Sequence, residues 1–328
     1  MNINFNSKKI KIFIGLMCTL LIGWQAGWRN VGFDRENYIN IYNGVISSEE
    51  FTLKLWFAKD VLNLIIISSA NILSGDPRLA FLVTCTLSIY VKYRALLKLA
   101  PESVMLFVFL YALLLAPGLE FAAMRSGVAI AFVMLATVYV EKKLYFYIFS
   151  IIACMSHASM LAVIPFLHPV INNIVGRNKI LLGAMVLVVA TFSEAAILLF
   201  QHGSSYENNI GTVNAFLLPV ATLIISFLVF GGLNGRVMSE NSNRNESINY
   251  IGIIVYCLIA MSFGFTFAIV TAATRYLEVA WCLILIAAVL RWRKSWYSFF
   301  GLLLLLIFLS FINIGRSTWL AIYDPSFL

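Results

Sequence analysis

The stretch TLKLWFAKDVLNLIIISSANILS (52–74) is long enough to cross a bilayer, yet it holds Lys54, Lys59, Asp60, Asn63 and Asn71. Its reading decides the fold, because a crossing here inverts every loop that follows. The arbiter is the distribution of Lys and Arg, which gather on the cytoplasmic side of membrane proteins. A crossing would export the cluster Lys92, Arg94 and Lys98. If the stretch lies at the outer interface, or dips in and returns, 15 of the 23 basic residues fall inside and 11 of the 15 acidic residues fall outside. The second arrangement is the expected one.

Working outward from it, apolar runs recur near 12–28, 79–97, 102–119, 121–140, 143–157, 159–175, 180–200, 213–232, 248–270, 274–290 and 296–315. A helix needs about 20 apolar residues to span, and most of these runs come close to that length. The expectation is an all-α, polytopic integral membrane protein of about 11 transmembrane helices. Residues 1–328 form a single domain in which 29–78 is an outer loop plus a short interfacial or re-entrant helix. The N-terminus is cytoplasmic and the C-terminus outside. Lys8, Lys9 and Lys11 precede the first run with no small-x-small cleavage site after it, which favours an uncleaved first helix.

Composition agrees. The chain is 61% hydrophobic and 12% charged, with a mean hydropathy of +0.91. A soluble domain carries about 25% charged residues, so that class is excluded. The net charge of +8 is then a record of topology and does not imply nucleic acid. The five cysteines all lie in apolar runs without CxxC spacing, as small hydrophobes inside helices do.

This topology leaves few basic residues outside, and each outer Arg near a helix end asks for a reason. Arg125 in GLEFAAMRSGVAIAF opens one span and Arg275 in TAATRYLEVAW opens another. A structural role is available to each, with Glu120 and Glu278 as ion-pair partners. The functional alternative is anion binding at a helix N-terminus, where free N–H groups and the dipole favour negative charge. Arg adds planar, bidentate recognition of phosphate, so two such residues on one face point to a phosphate or diphosphate. In ACMSHASM (153–160), His157 sits at the outer turn of two short spans. It could cap carbonyls there, or serve as a general base, since imidazole titrates near neutrality. The other histidines are not at ligand spacing from it, so no metal site is expected. The outer loop GWRNVGFDRENYINIYNGV combines Asp34 and Glu36 with Tyr38 and Tyr42, a set suited to a sugar. The loop QHGSSYENN (201–209), with Tyr206, has the same character. No Walker loop, HExxH, GxSxG or dinucleotide fingerprint occurs, which argues against a P-loop ATPase or a soluble-type hydrolase.

Three motifs together resemble the EpsG-type branch of the Wzy-like O-antigen and exopolysaccharide polymerases. They are Arg29, Asp34 and Tyr38 in WRNVGFDRENY; Arg125 followed some thirty residues later by His157 and Ser159; and the late pair Arg275–Tyr276. Family members often read Arg-Gln where this chain has Arg125-Ser126. The resemblance implies a cofactor-free, metal-independent, inverting glycosyltransferase on the outer face of the bacterial inner membrane, in an architecture of the GT-C kind. It joins oligosaccharide repeat units carried on undecaprenyl diphosphate, with a chain-length regulator as a further partner. Its site would place Arg125 and Arg275 on the diphosphate and use His157 or Asp34 as base. Arg29, Tyr38, Ser159 and Tyr206 would hold sugar or acceptor. Three alternatives stay open: a transferase using a polyprenyl-phosphate sugar, with Asp34 and Glu36 holding a metal; an O-acyltransferase; and a lipid-linked oligosaccharide flippase.

Overall fold

The structure, a computed structural model, describes residues 7–28, 35–46, 60–121, 123–177, 212–230, 242–265, 270–291 and 296–315. The regular elements among them are all helical, as the apolar runs require. The chain divides into two compact units, residues 1–158 with 306–328, and residues 159–305.

In the first unit the helices are α1 (Ser7–Trp28), α2 (Arg35–Ile46), α3 (Val61–Ser74), α4 (Pro77–Leu99), α5 (Val104–Leu114), α6 (Ala116–Leu119), α7 (Met124–Val138) and α8 (Lys143–Ser156). The stretch that decides the topology contributes α3, whose 14 residues rise only about 21 Å at 1.5 Å each. That falls short of a hydrocarbon core of about 30 Å. Gly75 ends it in the left-handed region at φ 66°, with its N–H donating to Asn71 O. Asp76 then accepts the Arg78 N–H at 2.8 Å, and Pro77 opens α4. A left-handed glycine, an acidic cap and a proline at the first helical position form a stop and a start in four residues.

Helices α1 and α4 run antiparallel. At one end Tyr93 Oη donates to Ile12 O at 2.7 Å. At the other the Arg78 guanidinium lies 5.8 Å from the Trp28 ring centroid. Glycines allow this close crossing: a Cβ on Gly27 would lie 2.3 Å from Leu82 Cα, and one on Gly23 2.8 Å from Thr86 Cα. Small residues four apart are a common means of bringing helix backbones together in membranes. The last residues of α1 and the first of α4 therefore lie at the same end of the pair.

Helix α7 runs parallel to α4, with Gly127 beside Ser88 and Tyr139 beneath the Lys98 ammonium, 3.3 Å from its ring centroid. Helix α8 returns antiparallel, its Phe149 packed on Phe132 and Tyr139. One end of the unit thus carries Arg94, Lys98, Lys142 and Lys143. The opposite end carries the start of α4, the start of α7 and the end of α8.

The second unit contains α9 (Met160–Leu167), α10 (Pro169–Arg177), α11 (Thr212–Phe230), α12 (Ser242–Phe265), α13 (Val270–Arg291) and the first part of α14 (Trp296–Gly315). The expected continuous span over 159–175 is instead broken at His168, between Pro165 and Pro169. Neither proline has an N–H to continue the ladder. Asn172 bridges the break, its amide donating to Phe166 O and Tyr250 O at 3.4 Å each. Helix α13 is buried on every side from Tyr276 to Arg291, as an all-round apolar helix demands. Trp281 Nε1 donates to Thr222 Oγ1 at 2.9 Å and Arg291 Nη1 to Val229 O at 2.9 Å, fixing it to α11. By length and composition, Pro77–Leu99 and Ala273–Arg291 suffice to cross a membrane among the described residues, and shorter apolar helices such as Ile12–Trp28 and Met124–Val138 accompany them. The expected span 180–200 lies outside the described residues.

Candidate active site

The chain turns sharply between α5 and α7. Pro117 opens the short α6, and Ala123 leads into α7 with Arg125 in its first turn. A cation at a helix N-terminus opposes the dipole, so this position calls for an anion. Two neighbours meet it. Tyr38, projecting from α2, accepts a long contact from the Arg125 N–H at 3.5 Å and lies under the guanidinium, 5.4 Å from the ring centroid. Asp60 Oδ2 accepts a short hydrogen bond from Arg125 Nη1. Tyr38 is itself buried and set edge-on against Phe81.

Asp60 occupies the N-cap position of α3, where an aspartate ordinarily accepts from a first-turn N–H. Here its side chain makes no capping bond and turns to Arg125 instead. Although the pair is partly satisfied, Asp60 Oδ1 and Arg125 Nε are both buried without a hydrogen-bond partner. Arg125 also lines a small recess with Leu62, Asn63, Ile66, Thr84, Val128 and Ser156. The Thr84 and Ser156 hydroxyls donate to the carbonyls of Ala80 and Ile152, at 2.7 Å each.

About two turns beyond Thr84 on α4, Lys92 forms a second ion pair of different character. Lys92 is 1% exposed and Glu120 0%. Lys92 Nζ donates to Ser88 Oγ at 2.7 Å, Glu120 Oε1 at 2.6 Å and Gly127 O at 2.9 Å, which uses all three of its protons. Glu120 also accepts from Ser88 Oγ at 2.7 Å and from Tyr111 Oη at 2.6 Å, while its backbone carbonyl accepts from Cys85 Sγ. The arrangement corrects two sequence expectations. Glu120 pairs with Lys92 and not with Arg125. Lys92 is a protein-buried charge and does not belong with the loop cations, nor does Glu120 lie on the far side of the membrane from it. The network fastens the turn before α7 to α4, and so fixes where Arg125 stands.

His157 closes α8 in extended backbone, its N–H donating to Ala153 O at 3.1 Å. It directly follows Ser156, which lines the recess, so the first unit brings Tyr38, Arg125 and the His157 turn to one end. Ser159 begins the second unit, at the N-cap position of α9. In that unit Arg275 donates to Glu278 Oε2 at 2.8 Å, the in-helix pairing its spacing allowed, and the following Tyr276 is buried in the packing of α13. Arg29, Asp34 and Tyr206 lie outside the described residues. Sequence reasoning missed Asp60 as a site residue. The available signal was an acidic residue in an apolar stretch that has no need to cross. Among the described residues no three His, Cys, Asp or Glu side chains gather as a metal site.

The sequence profile of the EpsG family matches residues 9–322, nearly the whole chain. The chain belongs to the EpsG family. Membership makes it a membrane protein of polysaccharide biosynthesis, in a family associated with glycosyltransferase-like polymerase activity. No curated protein and no solved structure matches the chain.

Proposed function

We propose that this EpsG-family protein is a polysaccharide polymerase that joins undecaprenyl-diphosphate-linked oligosaccharide units by inverting, metal-independent glycosyl transfer on the outer face of the inner membrane. The observation that carries the reading is Arg125: a guanidinium in the first turn of α7, held by Asp60 and Tyr38, with its Nε–H left without a hydrogen-bond partner. As the glycosidic bond breaks, negative charge develops on the diphosphate. A preorganised guanidinium in a site of low dielectric stabilises that charge, and a diphosphate leaves without a general acid. The acceptor hydroxyl does lose a proton, and His157 or Asp34 takes it. Arg275 contributes a second cation to the diphosphate, and Arg29, Tyr38, Ser159 and Tyr206 hold sugar or acceptor.

The outward orientation has its own support. Arg94, Lys98, Lys142 and Lys143 cluster at the end of the first unit opposite Arg125, and positive charge favours the cytoplasm. On this reading the chain crosses about eleven times, and a chain-length regulator is its partner.

The test is deletion of the gene in its host, complemented with wild-type or variant protein, with electrophoresis of the surface polysaccharide. The expected result is a ladder that collapses to a core bearing one repeat unit. Loss of the single-unit band as well would point to a flippase, and an intact ladder of altered mobility to a decorating transferase. Polymerisation that stops in a chelator would overturn the metal-independent mechanism.

A further inference from the structure

We infer that the end of the first unit opposite Arg125 binds the headgroup of an anionic phospholipid. Its phosphate sits between Lys98 of α4 and Lys142, just before α8, at the rings of Tyr139 and Tyr145. This goes beyond the proposed transfer reaction and does not depend on it.

Four cations meet at this end without anions of their own. Arg94, Lys98, Lys142 and Lys143 are all exposed, and none takes part in an ion pair among the described residues. Arg94 and Lys98 stand four apart on α4, a spacing at which like charges repel. Lys142 is a stronger electrostatic neighbour of Lys98 than the carboxylate of Glu141 is, so the repulsion is not offset. The orientation rule explains why cations gather on the cytoplasmic side. It does not explain why they are held in place.

What holds them is a row of rings. The Lys98 ammonium lies 3.3 Å from the Tyr139 centroid, and Lys142 Nζ lies 5.9 Å from that of Tyr145. The two rings are 5.5 Å apart, and Phe149 packs against both. Cation–π contact fixes an ammonium without neutralising it. Two positive charges from different parts of the chain are therefore pre-positioned along one aromatic surface, and a phosphate between them relieves their repulsion.

The occupant is amphipathic, because the cations open onto an apolar face. Beyond Lys143, α8 presents Leu144, Tyr147, Ile148 and Ile151 along one helical face, each 40–69% exposed. A soluble anion would cover the lysines and leave that face bare. A cytosolic protein would stop at the membrane surface, whereas this face continues along the helix into the bilayer. An anionic phospholipid meets both parts, with its phosphate on the lysines and its acyl chains along α8. Basic pockets between helices on the cytoplasmic side are a usual place for such headgroups.

The experiment is native mass spectrometry of the full-length protein in detergent, with equimolar phosphatidylglycerol and phosphatidylcholine of the same acyl chains. Wild type is expected to retain the anionic lipid about twentyfold over the zwitterionic one, or about fivefold for each of the two lysines. The pair Lys98→Gln, Lys142→Gln should bring that ratio close to one, and Lys98→Arg, Lys142→Arg should keep it. The pair Tyr139→Leu, Tyr145→Leu leaves every charge in place and should lower the ratio about threefold. Equal retention of the two lipids by wild type overturns the inference, as does a glutamine variant that keeps the preference. An unchanged ratio in the leucine variant also overturns it, because diffuse attraction to a charged surface needs no rings. Glycerol 1-phosphate in large excess separates the lipid from a soluble phosphate. Phosphatidylglycerol should stay bound, and its displacement would assign the cations to a soluble ligand and end the lipid assignment.

Discussion

The two ion pairs of the first unit differ in one respect that matters. In the Lys92–Glu120 pair every ammonium proton has an acceptor, both carboxylate oxygens are used, and neither residue touches solvent. In the Arg125–Asp60 pair a donor and an acceptor are left over, and Arg125 lines a small recess. The first is closed; the second is open, and the proposed function assigns the chemistry to it. Charge alone in an apolar chain does not mark a site. The hydrogen bonds that remain unmade do.

The largest effect should come from breaking the closed pair. Glu120→Ala or Lys92→Met leaves one buried charge without its partner, which costs about 3–5 kcal/mol. Thermal unfolding in detergent should show either variant strongly destabilised, with the double variant Lys92→Met, Glu120→Leu recovering most of the loss. Equal stability of single and double variants would remove the distinction between the two pairs.

A smaller effect, of a different kind, is expected at the open pair. Arg125→Lys keeps the charge but loses the planar fork, so polymerisation should fall about tenfold while stability changes by less than about 1 kcal/mol. A full ladder from Arg125→Lys would show that only net charge is needed there. Tyr38→Phe comes next. It removes the long contact at 3.5 Å and keeps the ring under the guanidinium, so a loss of about twofold in activity is expected. The smallest structural effect belongs to Arg275, whose side chain is 31% exposed and paired within its own helix. Glu278→Gln should cost under about 1 kcal/mol. If Arg275 serves the diphosphate, Arg275→Ala should reduce activity far beyond that figure.

The comparison also explains what could be read from sequence and what could not. Helix positions were legible because apolar runs of spanning length have few alternatives, and the expected 143–157, 213–232 and 296–315 lie within a few residues of α8, α11 and α14. The placement of 52–74 was argued from charge; residues 52–59 lie outside the described residues, and of the rest α3 is too short to span. The break at His168 was visible in Pro165 and Pro169 but hidden by the apolar run around them. Lys92 was misread for a physical reason: beside Arg94 and Lys98 it looks like a loop cation, while its partner is 28 residues away. Asp60 was passed over because it read only as one of several polar residues in an apolar stretch, and its partner Arg125 lies 65 residues away. Arg125 and Tyr38 were singled out from sequence because an outward Arg and an aromatic loop each violate an expectation about membranes, and the structure puts the two in contact.

The central claim is that Arg125 is the working cation of this site and that its role is distinct from fold maintenance. The most direct measurement is polysaccharide electrophoresis from a deletion strain carrying Arg125→Ala, with membrane insertion and thermal stability of the variant checked alongside. The account predicts stable, correctly inserted protein and a ladder reduced to one repeat unit, a loss of about a hundredfold or more in transfer. A normal ladder from that same protein would contradict it.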